Sequence, residues 1–148
     1  MRRFATSLLC LILILLSVLS CDFNSSLRTR MVEYYSNNDN YIEIQGVVHN
    51  VRYIEEIKQL RLDVKVLTKT EEFYVNTETG LVTFNIVENE TTDFLIDVND
   101  EVVFYTAPWI FYNGHINPII SLRCNDAMLI DFEEGKAKYL SWINDEFN

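Results

Sequence analysis

A change in hydrophobic period at Tyr41 constrains the fold more than any other feature of the sequence. From that residue onward, apolar and polar residues alternate in short runs, which is the pattern of strands with one buried face. The runs cover residues 42–48, 62–67, 81–87 and 102–107, and a further run follows Asn113-Gly114. Five short strands with few helices predict a mainly β fold, a small five-stranded barrel, with a β-sandwich or an α+β sheet as alternatives.

The Asn113-Gly114 pair predicts a two-residue hairpin, because both residues tolerate the positive φ angles of a type I′ turn. In the register that this turn sets, odd-numbered residues of the fourth strand form one continuous apolar face. The expected partners are Trp109 with Pro118, Ala107 with Ile120, Tyr105 with Leu122, and Val103 with Cys124. The opposite face is also apolar near its base, which predicts either a covering element or a bulge near Pro108 that shifts the register.

Two helices are expected on either side of the strands. Apolar residues at helical spacing predict a brief helix over residues 26–35. Asp131 is a suitable N-cap for a C-terminal helix that begins near Phe132. The apolar residues of that helix recur at three- and four-residue steps: Phe132, Tyr139, Leu140, Ile143 and Phe147. This helix is the natural cover for the second face of the hairpin.

The first twenty residues read as a targeting segment rather than as part of the fold. Arg2 and Arg3 precede an uninterrupted apolar run over residues 8–16. Val18-Leu19-Ser20-Cys21 resembles the lipobox of bacterial lipoproteins. The resemblance implies that residues 1–20 are a cleaved signal peptide and that Cys21 carries palmitate-type acyl chains. Those chains would anchor the protein at the extracytoplasmic face of the cell membrane. The alternatives are a secreted protein with a free Cys21 and an uncleaved membrane-spanning helix.

The charge balance narrows the class of partner. The whole chain has 12 basic and 22 acidic residues, and loss of Arg2 and Arg3 changes its formal net charge from −10 to −12. Nucleic acid is therefore excluded as an expected partner, because phosphate binding depends on Lys and Arg. The remaining chain divides into a tether with a short helix over residues 21–40 and one domain over residues 41–148.

Two segments carry a resemblance to OB-fold domains. Residues 95–104, LIDVNDEVVF, resemble the turn into the fourth OB strand, where V-G-D-x-V-x-F is common and where Asn99 here replaces the glycine. Residues 44–48, IQGVV, resemble the I-x-G-x-V of the first strand, in which Gly46 permits a strong bend. The resemblance implies an OB-like barrel whose loop between strands four and five flanks a ligand face.

The chemical inventory argues against catalysis. Neither of the two histidines, His49 and His115, has metal-ligating neighbours at a usable spacing, and recognisable catalytic motifs are absent. We therefore expect no enzymatic activity, cofactor or metal. The candidate binding residues lie at the aromatic hairpin tip: Trp109, Phe111, Tyr112 and His115. The register favours a core position for Trp109 and Phe111 and exposure for the other two.

These observations predict a membrane-tethered, extracytoplasmic and non-catalytic module that binds a protein or a small ligand. One alternative is an envelope-structural or immunity-type lipoprotein that acts by occupying a surface. A weaker alternative is a hydrolase, which would require a pocket that gathers His49 or His115 with buried carboxylates.

Overall fold

The computed structural model describes residues 25–68, 73, 75–87, 95–111 and 117–147. Within these ranges a helix over residues 25–36, α1, precedes six strands and a C-terminal helix. The strands are β1 (Ile42–Ile54), β2 (Gln59–Val66), β3 (Val82–Val87), β4 (Glu101–Thr106), β5 (Asn117–Cys124) and β6 (Ala127–Ile130), and the helix α2 spans Phe132–Glu146. Cys21 with the predicted leader, and the Asn113-Gly114 pair with its predicted turn, lie outside the described residues.

Five of the strands close into a barrel. Neighbouring strands follow the order β3-β2-β1-β4-β5, and a parallel pairing of β3 with β5 completes the ring. That last pairing sets Phe84 opposite Asn117. β6 pairs only with β5 and adds a sixth strand to the sheet. The prediction of a mainly β, five-stranded OB-like barrel with a C-terminal helix is therefore confirmed, whereas β6 was not predicted.

Strand β1 is long because it serves two partners. Its first half pairs with β4 and its second half with β2, and the two ladders overlap at Gly46 and Val47. A Cβ atom at Gly46 would lie 2.4 Å from a methyl carbon of Val64. Glycine is required there because β2 crosses so closely over the bend.

The two helices form a layer outside the barrel. The barrel interior holds one apolar cluster, which includes Phe84, Phe104 and Leu122. A second cluster joins α1 through Met31 and Tyr35, α2 through Tyr139 and Ile143, and the outward side of β5 through Ile120. The helices therefore cover the outer side of β5 around Ile120. Ile120 and Ala107 belong to the odd-numbered face of the predicted hairpin, so the expectation that the C-terminal helix covers the second face was wrong: Val102 and Phe104 of that face lie in the barrel core.

The predicted register between β4 and β5 was wrong by one residue over residues 102–105 and by two residues at Thr106, which pairs with Ile119. Val102 lies opposite Cys124 and Phe104 opposite Leu122, so the even-numbered residues of β4 face the barrel interior. A bulge after Tyr105 then shifts the pairing and leaves Ile120 as the extra residue. In a regular strand Leu122 and Ile120 would share a face, but the bulge turns them apart, so that Leu122 packs in the barrel and Ile120 packs under the helices.

Local chemistry explains the helix start and the main turns. The Asp131 side chain accepts hydrogen bonds from the backbone N–H groups of Glu133 and Glu134, which confirms the predicted N-cap. Asn99 has a φ angle of +77°, so it replaces the glycine of the OB pattern in the same left-handed conformation. Neither of the described helices is long and apolar enough to cross a membrane.

Candidate functional site

Polar side chains from three strands form a continuous surface on the outside of the barrel. Alternation along β1, β2 and β3 sends the apolar residues inward and the intervening residues outward. The outward residues lie in two cross-strand rows. We call this surface the polar face, and its members are Asn50, Asp63 and Thr83 in one row and Arg52, Arg61 and the buried Asn85 in the other. In OB folds the outer surface around strands two and three is the usual ligand face.

Asp63 organises the first row. One carboxylate oxygen accepts hydrogen bonds from Asn50 Nδ2 at 3.0 Å and from Arg52 at 3.1 Å. The other oxygen accepts a hydrogen bond from Thr83 Oγ1 at 2.7 Å. Partial burial by itself raises the pKa of Asp63, but hydrogen bonds from Thr83 and Asn50 and the charge of Arg52 outweigh it and hold the pKa below its usual value. The carboxylate thus stays ionised near neutral pH and acts as an acceptor, not as a proton donor.

The second row contains two cations directly opposite each other. Arg52 and Arg61 are cross-strand partners, and like charges in that arrangement destabilise a sheet. Asp63 forms an ion pair with Arg52, whose side chain is 52% exposed. Arg61 is half-buried, and its Nε atom is buried without a hydrogen-bond acceptor. The row therefore carries a positive charge that the neighbouring side chains do not neutralise.

Trp109 and Phe111 lie in the helix layer and not in the barrel core. Trp109 stacks on Tyr35 with ring centroids 6.1 Å apart, and Phe111 meets Tyr34 edge to face at 5.6 Å. The Tyr34 hydroxyl also donates to the backbone oxygen of Pro108 at 3.3 Å. Trp109 and Phe111, two of the predicted binding residues, are half-buried and pack against α1, so they attach the loop between β4 and β5 to this helix.

The same loop begins beside the polar face. The backbone N–H of Trp109 donates to Asn117 Oδ1 at 2.8 Å, and Asn117 starts the part of β5 that pairs with β3. Tyr112, His115 and Cys21, the other residues singled out in the sequence, lie outside the described residues. His49 is exposed at the irregularity of β1, between the two ladder positions Val48 and Asn50.

Two cavities lined by described residues are small or open. An apolar groove between α2 and the barrel, bounded by Gly135, Tyr139 and Leu129, holds about 80 Å³. Pockets for drug-sized ligands usually measure about 300 to 1,000 Å³. A second, polar depression beside Arg123 and Asp126 holds about 330 Å³ and is open to solvent. Among the residues with described positions, no group of three or more His, Cys, Asp or Glu side chains could hold a metal ion.

Cys124 is the one thiol in the described part of the chain, and it is buried in the barrel. Its Sγ donates to the Asp100 carboxylate at 3.4 Å. Burial, this hydrogen bond and the negative charges of Asp100 and Asp97 raise the pKa of the thiol to about 11. A thiol with so high a pKa is a poor nucleophile at neutral pH.

The polar face was missed in the sequence because its residues are scattered over residues 50–85. The sequence does contain one signal, because every second residue of each alternating run is predicted to face outward. These residues form a surface only when neighbouring strands are compared with one another. Asp63 between Leu62 and Val64, and Thr83 between Val82 and Phe84, are such positions. Only the register places the members of a row beside one another.

Comparison of the chain with protein-family models, with curated proteins and with solved structures finds no significant match to any of them.

Proposed function

We propose that this chain is a lipid-anchored, extracytoplasmic binding module that recognises a protein or a small ligand through its polar face and catalyses no reaction. The observation that carries the proposal is the composition of that face. Its six positions hold hydrogen-bonding or charged side chains, and all of them except the buried Asn85 are exposed or half-buried on one surface across three strands of an OB-like barrel. Such a surface offers many donors and acceptors at fixed spacing, which is what specific recognition requires.

The lipobox-like leader supports the anchoring part of the proposal. Helix α1 begins at residue 25, four residues after Cys21. A chain of that length spans at most about 15 Å, since each residue extends it by no more than about 3.6 Å. Acyl chains on Cys21 would thus hold the domain close to the bilayer, where it meets ligands of the cell envelope.

Capture of partners from the envelope tests the proposed binding surface. The anchored protein would carry Arg52→Glu and Lys65→Glu, which reverse two exposed charges on the outer side of β1 and β2. The matched control is Arg123→Glu, an exposed arginine on β5. We expect the first variant to lose its partner and the control to keep it. Equal recovery by both proteins would refute binding through the polar face.

A second pair of variants separates the polar face from the hairpin tip. Tyr112→Ala and His115→Ala change the two tip residues that the sequence places away from the core. If the partner is lost with these two and kept with the charge reversals, the binding surface is the tip and not the polar face.

Mass spectrometry of the mature N-terminus tests the anchor. We expect a chain that begins at Cys21 and carries diacylglyceryl. A free, unacylated Cys21 would overturn the anchoring part of the proposal and leave the polar face untouched.

A second candidate is an immunity-type or envelope-structural lipoprotein that works by covering a surface of its partner. The observation in its favour is the small size of the apolar groove, about 80 Å³, which is far below the size of a ligand pocket. The two candidates differ in partner size, because a surface-covering protein would bury on the order of 800 Å² on each partner. Hydrogen exchange of the captured complex separates them, since a small ligand would protect only a few amides.

A further inference from the structure

Arg61 is an arginine without a counter-ion. In the described part of the chain its side chain forms no ion pair and donates no hydrogen bond, and its Nε atom is buried. A buried donor that finds no acceptor costs on the order of 1 to 3 kcal/mol, so native proteins rarely keep one without a reason. The guanidinium group also offers five N–H donors in a planar fork that matches an oxyanion.

The residues around Arg61 make its charge harder to tolerate. Arg52 lies directly opposite on β1, and the register places Asn85, an uncharged residue, on the other side. Asp63 is the nearest acid on the face, and its oxygens already accept hydrogen bonds from Asn50, Arg52 and Thr83. Among the six members of the polar face, no carboxylate is therefore left to pair with Arg61.

We propose that Arg61 binds one oxyanion group, a carboxylate or a phosphate, of the ligand that occupies the polar face. This inference rests on the proposed use of that face for binding. A ligand oxyanion would supply the acceptor that Arg61 lacks and would relieve its repulsion with Arg52. Arg61 is half-buried with an unpaired Nε, so it is the arginine that would contact the oxyanion, whereas the more exposed Arg52 pairs with Asp63.

The charge of the whole chain restricts the ligand further. Without its leader the chain has a formal net charge of −12, so a polyanion approaching it is repelled over about one Debye length, roughly 8 Å at physiological salt. A local positive site within an acidic surface suits a ligand with a single oxyanion and an otherwise neutral body. The ligand class is thus a peptide or sugar derivative with one carboxylate or phosphate group rather than a polymer with one charge on each unit.

Nitrogen-15 spectra of arginine side chains test this inference directly. The purified protein is titrated with acetate, with inorganic phosphate and with hexaglutamate, and sodium chloride keeps the ionic strength constant. The Nε–H signal of Arg61 is assigned from its loss in Arg61→Lys, with Arg61→Gln as a second assignment variant. Arg123, exposed on β5, is the internal control.

We expect a saturable downfield shift of the Arg61 signal with acetate or phosphate, while the Arg123 signal follows no saturation curve. Whichever of the two anions saturates at lower concentration identifies the oxyanion as carboxylate or phosphate. Hexaglutamate should bind less tightly per carboxylate at low salt than acetate does, and tighter binding would overturn the restriction to one oxyanion. An Arg61 signal that moves no more than that of Arg123 with any of the three overturns the site itself.

The titration of Arg61 and the capture of envelope partners can fail independently of each other. A saturable Arg61 shift without any captured partner would keep the oxyanion site and refute the envelope-binding role. Capture that depends on Arg52 and Lys65, without an Arg61 shift, would keep the binding role and refute the oxyanion site.

Discussion

Gly135 of α2 rests directly on the backbone of Ile120 in β5. A Cβ atom built at Gly135 would lie 1.8 Å from the carbonyl oxygen of Ile120, so the helix and the strand can approach this closely only without a side chain there. Ile120 is also the extra residue of the β4–β5 bulge. The bulge and the glycine together attach α2 to the barrel, and α2 in turn supports the aromatic residues that hold α1.

This contact predicts that Gly135→Ala destabilises the protein. Alanine in place of glycine within a helix normally adds about 1 kcal/mol of stability. Here the added methyl group meets backbone that cannot move aside as a side chain can, and overpacking of this kind costs about 1 to 3 kcal/mol. Urea unfolding measures the change, with Ser141→Ala on the exposed side of α2 as the control, expected within about 0.5 kcal/mol of the parent. A gain in stability for Gly135→Ala would show that α2 sits farther from β5.

The hydrogen bonds to Asp63 predict a stability that depends on acid pH. The pKa of Asp63 is lower in the folded protein than in the unfolded chain, where it is about 4. The hydrogen bonds to its carboxylate therefore stabilise the fold fully at a pH above the unfolded-state pKa. This stabilisation is lost as the pH falls through the folded-state pKa. Asp63→Asn should cost about 1 to 2 kcal/mol near pH 7, and the difference from the parent should narrow below pH ~4. Thermal unfolding from pH 7 to pH 2.5 gives both quantities. A difference that stays constant over this range would contradict the assignment, and Glu55→Gln, which removes an exposed carboxylate, is the control.

The raised pKa of Cys124 predicts slow alkylation of the folded protein. With a pKa of about 11 against an unfolded value near 8.5, the thiolate fraction at pH 8 falls about 200-fold. Burial adds to the protection, because the residue is 3% exposed. Mass spectrometry of the peptide that contains Cys124 after treatment with iodoacetamide measures the rate with and without denaturant. Equal rates in the two conditions would mean that the thiol is unprotected in the folded protein and would contradict the prediction.

Because Arg52 and Arg61 carry like charges and lie opposite each other, we expect the Arg61 side chain to contribute nothing to the stability of the fold. Arg61→Gln removes one of two like charges and should change the free energy of unfolding by no more than about 0.5 kcal/mol, or raise it. Arg52→Gln should lower it by up to about 1 kcal/mol, since it breaks the ion pair with Asp63. Urea unfolding of the two variants makes the comparison. A large loss for Arg61→Gln would assign Arg61 a structural role and remove the reason to give it a ligand.

Much of the fold could be predicted because its signals are local. The alternation that begins at Tyr41 appears as β1, and the capping preference of Asp131 appears as the start of α2. Asn99 keeps the left-handed turn in place of a glycine. Each of these depends on neighbouring residues along the chain, where φ angles, caps and side-chain alternation act.

The register and the candidate site could not be predicted in the same way. The β4–β5 register contains a bulge at Ile120, which turns Leu122 toward the barrel and Ile120 toward the helix layer, so that β5 contributes to two cores. No local sequence pattern in β5 indicates that a helix layer covers its outer side. The position of Trp109 and Phe111 in that layer could not be predicted either, because their partners Tyr34 and Tyr35 precede them by more than seventy residues.

The sequence by itself determined the class of fold, the positions of the helix starts and turns, and the acidic charge that disfavours polyanions. Only the tertiary structure decided which polar residues become neighbours, because strand pairing brings Arg52 opposite Arg61 and Asp63 opposite Thr83. The physical reason is that alternation gives each residue a side of its strand, whereas cross-strand register gives it partners. Register depends on packing against both faces of the sheet, and that packing exists only in the folded chain.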